Sequence, residues 1–129
     1  MIRNLIIAVC ALLFVSSCSK DERDKLYGKW QMQEIDTNGT VEKVDTIYYN
    51  FQHGLFQYQI HNENTGIGRT SDGFNEVIGE NQIELEILNE GLLPYTDWTA
   101  TKRVFTIDEV TSKRLVLTSG DKTYTFRNF

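Results

Sequence analysis

Hydrophobicity that repeats every second residue is the feature that most limits what this chain can become. In Gln82-Ile83-Glu84-Leu85-Glu86-Ile87-Leu88, Ile83, Leu85 and Ile87 share one face and Glu84 and Glu86 the other. Only an extended strand, whose side chains alternate between faces, separates them in this way. Phe105 and Ile107 alternate with Thr106 and Asp108, Leu115 and Leu117 bracket Val116, and Tyr124 and Phe126 alternate with Thr123 and Thr125. Ile47, Tyr49 and Phe51, then Phe56, Tyr58 and Ile60, repeat the pattern earlier. No stretch after residue 18 keeps apolar residues at helical spacing over several turns.

Turn signals divide these runs. Asn38-Gly39 closes the first, His53-Gly54 separates two aromatic-rich runs, and Ser71-Asp72-Gly73 ends a polar stretch. Asn89-Glu90-Gly91 follows the Ile83 run, and Ser119-Gly120-Asp121 makes a last hairpin. Glycine and asparagine supply the positive φ that such turns demand. The single proline, Pro94, falls in a loop between Gly91 and Asp97, where it removes no ladder hydrogen bond. The alternation predicts eight strands, near 28–36, 43–52, 55–62, 73–80, 82–88, 101–109, 113–119 and 122–128. Hairpin-joined strands with one buried face favour an all-β, eight-stranded, antiparallel up-and-down barrel, which also leaves no exposed edge. A β-sandwich satisfies the same pattern and stays open as the alternative.

Ahead of this body lies a leader. Met1-Ile2-Arg3-Asn4 carries one positive charge, Leu5 to Val15 is apolar, and Ser16-Ser17-Cys18 follows. The apolar run is shorter than the ~20 residues that span a bilayer and suits a signal peptide. Val15-Ser16-Ser17-Cys18 resembles the lipobox of bacterial lipoproteins. That resemblance implies removal of residues 1–17 and a diacylglyceryl thioether plus an N-acyl chain on Cys18. Residues 18–25 are then a lipidated cysteine and charged tether, and residues 26–129 the barrel domain. Each buried methylene stabilises membrane attachment by ~0.8 kcal/mol, so several chains hold firmly where one holds marginally. Lys20-Asp21-Glu22, directly after the cysteine, resembles the export signal of Bacteroidota surface lipoproteins. The localisation it implies is the outer membrane, lipid-anchored and exposed at the cell surface.

With Cys10 in the leader and Cys18 lipidated, the mature domain has no disulfide and relies on its hydrophobic core. Losing residues 1–17 takes Arg3 from the 13 basic side chains, leaving 12 against 18 acidic ones. An acidic body without a basic cluster argues against nucleic acid as a partner.

Tyr27-Gly28-Lys29-Trp30 opens the first strand, and Gly28 and Trp30 resemble the Gly-x-Trp signature of lipocalins. Lipobox, short tether, Leu26-x-Gly28-x-Trp30 and an aromatic last strand together resemble the small Bacteroidota lipoproteins with a lipocalin-like (calycin) domain. In lipocalins the tryptophan packs at the closed end of the barrel beneath a basic side chain from a late strand. Arg127 is the candidate partner here, yet alternation sets it on the face opposite Tyr124 and Phe126. A bend near the end of that strand, Arg103 or Arg114 in its place, or no such pair, all remain open.

The chemistry is sparse. A metal site needs convergent N, O or S ligands, and His53 and His61, the only histidines, read as solvated. Glu84 and Glu86 lie on the wet side of their strand. Gly66-Ile67-Gly68 lacks the third glycine and the strand–helix setting of a dinucleotide site. No nucleophile motif appears, so catalytic residues, metal and cofactor are all expected to be none, and the chain is not expected to be an enzyme. Phe51, Phe56, Tyr58, Phe74, Phe105, Tyr124 and Phe126 are expected to line the interior. An eight-stranded barrel is either filled by side chains or holds one small ligand. Leu92-Leu93-Pro94-Tyr95-Thr96-Asp97-Trp98 is an apolar loop that either plugs a barrel mouth or forms a recognition lip.

The leading expectation is a surface-anchored lipoprotein whose barrel binds a small hydrophobic or amphipathic ligand through Phe56, Tyr58, Tyr95, Trp98 and Tyr124. Its partners are then the membrane, through the lipid anchor, and that ligand. The alternative is a non-enzymatic interaction module, an inhibitor or accessory subunit of an envelope complex, that meets an envelope protein through the 91–100 loop.

Overall fold

Ile83, Leu85 and Ile87 are buried along one face of a strand, as their spacing requires, and the same alternation builds the rest of the fold. The computed structural model describes residues 24–129; the leader 1–17, Cys18 and Lys20-Asp21-Glu22 lie outside the described residues. The strands are β1 (Gly28–Thr37), β2 (Thr40–Lys43), β3 (Ile47–Gln52), β4 (Leu55–His61) and β5 (Gly68–Val77). They continue with β6 (Gln82–Ile87), β7 (Lys102–Val110), β8 (Arg114–Ser119) and β9 (Lys122–Asn128). From β3 to β9 each strand pairs antiparallel with the next, and β1 bridges β3 and β9. The expected closed, eight-stranded, up-and-down barrel is therefore what the chain forms, with β2 added as one extra strand.

That extra strand corrects the expected strand at 43–52. β1 meets β3 along Gly28–Gln31 and β2 along Glu34–Thr37. Between them β1 shifts register against β9, at Met32/Glu34. Such a bulge bends a strand, so the chain facing it breaks into two short strands. It also resets the phase: Trp30 and Met32 face inward before it, and Ile35, opposite Tyr124, after it.

A second correction concerns β5, which starts at Gly68 rather than at 73, so Ser71-Asp72-Gly73 is strand and not turn. Its buried residues are Ser71 and Gly73, set opposite Tyr58 and Phe56 of β4. Small residues stand inside because large rings opposite fill the space. Phe74, expected inside, lies on the outer face and is 47% exposed. Polar side chains on both faces hid this strand from the alternation.

The barrel interior is filled. The ring of Tyr49 lies within 6.4 Å, centroid to centroid, of Phe51, Phe56, Tyr58, Trp98, Phe105 and Phe126. Edge-to-face and tilted pairs of this kind add roughly 0.5–1.5 kcal/mol each beyond area burial. Trp30 is fully buried at the end where the chain enters, and its indole Nε1 donates to the Leu26 carbonyl at 2.8 Å. Gly28, just before it, has φ +130°, which a side chain rarely adopts.

Candidate functional site at the distal mouth

Strand directions sort the connections by end. Leu26, the His53-Gly54 hairpin and residues 111–113 lie at the end where the described chain enters. Residues 38–46, 62–67, 88–101 and 120–121 lie at the other, here termed the distal mouth. The 62–67 and 88–101 connections thus share an end, and Leu88 N, at the start of the latter, donates to the Asp72 carbonyl of β5 at 2.9 Å.

The 88–101 connection is a flap folded into the mouth. It begins with a short 3-10 helix, Glu90–Tyr95, whose N-cap Asn89 accepts from Gly91 N. Cap satisfaction of this kind is worth ~1 kcal/mol. Thr96 N and Thr96 Oγ1 both donate to the Leu93 carbonyl at 3.0 Å, and Trp98 N donates to Thr96 Oγ1 at 3.0 Å. These bonds turn the chain inward, so Leu92 and Trp98 are buried in the core. Trp98 stacks parallel to Phe56 at 6.1 Å and its Nε1 donates to Tyr49 Oη at 3.1 Å. Of the two roles open to this loop, the structure selects the plug.

Beside Trp98 the mouth is polar. Asp97 Oδ1 accepts from Arg103 Nη1 at 3.2 Å, and Asp97 Oδ2 accepts from Lys122 Nζ at 3.3 Å and from the Tyr124 hydroxyl. Arg103 Nη2 donates to Tyr124 Oη at 2.6 Å and Arg103 Nε to Ser119 Oγ at 3.1 Å, while its guanidinium lies 4.8 Å over the Phe105 ring. Burial works to lower the Arg103 pKa, but Tyr124 and Asp97 outweigh it and hold the group cationic. Tyr58 is fully buried, and among the described residues its hydroxyl has no hydrogen-bond partner. Burial first, then the negative field of Asp97, holds the Tyr58 phenol well above its ordinary pKa, so it is a neutral donor. Tyr124 is raised by burial and by its bond to Asp97.

The other side of the mouth is aliphatic. Ile35, Val44, Ile47, Ile60 and Leu93 are partly buried against the core. Ile47 pairs with Ile60 across β3 and β4, and Ile35 with Tyr124 across β1 and β9, where the apolar rim meets the polar cluster.

Of the five residues expected to contact ligand, Phe56, Tyr58, Trp98 and Tyr124 converge behind this mouth and are buried. Tyr95 stands apart, 53% exposed, with the Arg69 guanidinium 3.8 Å over its ring. Arg127 does not reach Trp30: it lies on the outer face, exposed, and its Nε donates to Gln31 Oε1 at 2.7 Å. Arg114 pairs with Glu109 at 3.3 Å and Arg103 sits at the opposite end, so the third possibility holds, with no cation over Trp30 among the described residues.

Asp97, Lys122 and Ser119 were not singled out by their sequence context, and Arg103 only as a partner for Trp30. A signal existed. Arg103 is in phase with Phe105 and Ile107, Ser119 with Leu115 and Leu117, and Lys122 with Tyr124 and Phe126. Polar residues in the apolar phase, at one end of three successive strands, mark an inward-facing polar site.

Comparison with known proteins agrees with this architecture. Residues 12–129 match the family described as Lipocalin-like domain. A crystal structure of a lipocalin-like protein from Bacteroides uniformis ATCC 8492 is similar at TM-score 0.73 and 29% identity, covering 81% of this chain and 99% of that one. A crystal structure of an uncharacterized protein from Bacteroides eggerthii DSM 20697 is similar at TM-score 0.70 and 26% identity, covering 80% of this chain and 98% of that one. No curated protein matches.

Proposed function

The chain belongs to the lipocalin-like domain family, and on that premise we propose that it is a lipid-anchored outer-membrane lipoprotein, exposed at the cell surface, whose distal mouth binds a small hydrophobic or amphipathic ligand. Lipocalin barrels are a fold that holds one small ligand, and binding rather than catalysis is the general business of such domains. The observation that carries the reading is the two-sided mouth: an aliphatic rim of Ile35, Ile47 and Ile60 faces the Asp97–Arg103–Lys122–Tyr124 cluster. A surface of this kind suits a molecule with an apolar body and a polar head. Orientation supports it as well: the described chain enters at the far end, so an anchor at Cys18 would leave the mouth on the side away from the membrane.

Native mass spectrometry of the full-length chain purified from membranes tests both halves. The expected mass is that of a chain cleaved before Cys18 and carrying acyl chains, with a small molecule retained until Ile60→Ser releases it. An uncleaved leader sinks the anchor, and a protein that keeps no small molecule from a lipid extract sinks the ligand. Protease shaving of intact cells reports the leaflet.

One observation favours the interaction module as a second reading. Tyr95 offers an exposed ring backed by Arg69 on the outside of the flap, as a contact residue does. Trp98, buried, does not contribute to such a surface. Loss of a membrane pull-down partner on Tyr95→Ala is the outcome that reading requires.

A further inference from the structure

Asp97 and Trp98, adjacent in sequence, occupy the mouth as two halves of one small molecule. The Asp97 carboxylate takes the donors of Arg103, Lys122 and Tyr124, and the Trp98 indole lies flat on Phe56 inside the barrel. We propose that this pair is a built-in stand-in for the ligand, and that the mouth takes an aromatic acid, a planar apolar body carrying a carboxylate, which displaces the flap. The inference rests on the binding reading above and names its ligand class.

Three observations support it. The first is charge: Arg103 and Lys122 against Asp97 leave a net positive site on a chain whose formal net charge is −5. With Asp97 withdrawn on the flap, two cations face the mouth without a counter-ion. The second is the surplus of donors. Arg103 and Lys122 both donate, and the Tyr58 hydroxyl is a further donor, buried without an acceptor among the described residues. A carboxylate oxygen satisfies it, and charge-assisted bonds to cations are the strong ones. A neutral hydrocarbon leaves it unpaired, and a cationic amine meets the repulsion of Arg103 and Lys122. The third is shape. Phe56, Tyr58 and Phe105 surround the indole at 6.1, 5.8 and 5.8 Å, so the space vacated by Trp98 is lined by rings and fits another ring.

The flap is built to leave. Its own bonds are local, within Asn89–Trp98, whereas its hold on the barrel runs through Leu88, Asn89, the buried Leu92 side chain, Tyr95 beneath Arg69, the Asp97 carboxylate and the Trp98 side chain. A ligand that supplies both the acid and the ring replaces the last two contacts together.

The test compares indole-3-acetate with indole-3-acetamide, which share a ring and differ in the acid. Each is titrated into the full-length chain in detergent micelles by calorimetry. In parallel, the two indole N–H signals of the 15N-labelled protein are followed, assigned with Trp98→Phe. The acid is expected to bind at least about tenfold more tightly than the amide. Trp98 loses its bond to Tyr49, so its signal moves while that of Trp30 stays. Asp97→Asn, which weakens the internal competitor, is expected to tighten the acid about tenfold further. Equal binding of acid and amide overturns the acidic head and leaves the broader ligand reading standing. Acid binding with the Trp98 signal unmoved overturns displacement. No binding of either probe up to about 1 mM overturns the ligand class, and the small molecule sought by mass spectrometry then decides the broader reading separately.

Discussion

Gly73 shows how narrowly single residues are specified inside this barrel. A Cβ at that position would stand 1.6 Å from the Glu86 carbonyl oxygen, so β5 and β6 approach there only because no side chain intervenes. Phe56 lies directly across β4 from it and takes the room that Gly73 leaves. Gly73→Ala must push the two backbones apart. Overpacking of this kind costs about 1–3 kcal/mol, and backbone on backbone belongs at the upper end. Chemical denaturation is expected to show the loss, whereas Gly39→Ala, in an open turn, meets nothing within 4 Å and pays only for its φ of +93°.

At the scale of elements, the flap is the part set to open first. Its short 3-10 helix buries Leu92, and its hold on the barrel is concentrated in Asp97 and Trp98. Strands β3 and β4, by contrast, are paired on both edges around the Tyr49 ring cluster. Local openings draw on such differences. Hydrogen exchange at Leu92 and Thr96 is therefore expected to be faster than at Tyr49 and Tyr58. Asp97→Asn removes charge-assisted bonds worth about 1.5–3 kcal/mol. It should raise flap exchange at least about tenfold while leaving β8 and β9 unchanged, and equal exchange in flap and barrel would contradict the expected early opening.

At the scale of the whole molecule, stability depends on protonated phenols. Burial raises the pKa of Tyr49, of Tyr58 and of Tyr124 above the ordinary value of about 10, and the negative field of Asp97 adds to each. The folded state thus holds these protons more tightly than the unfolded chain. Their contribution is fully present below about pH 10 and is lost as pH rises above it, by up to about 1.4 kcal/mol per pH unit for each tyrosine. Denaturation midpoints are expected to be level in these groups between about pH 7 and 9 and to fall steeply above about pH 10. A midpoint unchanged at about pH 11 would show that the hydroxyls reach water.

Sequence alone determined the strands that have one wet and one dry face, because alternation is a local property of an extended chain. It therefore placed β4, β6, β7, β8 and β9 to within a residue or two and favoured the closed all-β barrel over the sandwich, while the packing of Trp30 was implied by the resemblance to lipocalins. Tertiary structure decided where that local rule is overridden. The bulge in β1 split β2 from β3 and reversed the phase before Ile35. The aromatic rings of β4 demanded Ser71 and Gly73 inside β5 and turned Phe74 outward. The candidate site belongs to the same class: Asp97 and Trp98 come from a flap, and Arg103, Ser119, Lys122 and Tyr124 from three strands. Their meeting is set by barrel closure and by charges that find partners only once water is excluded, and no run of neighbouring residues encodes either.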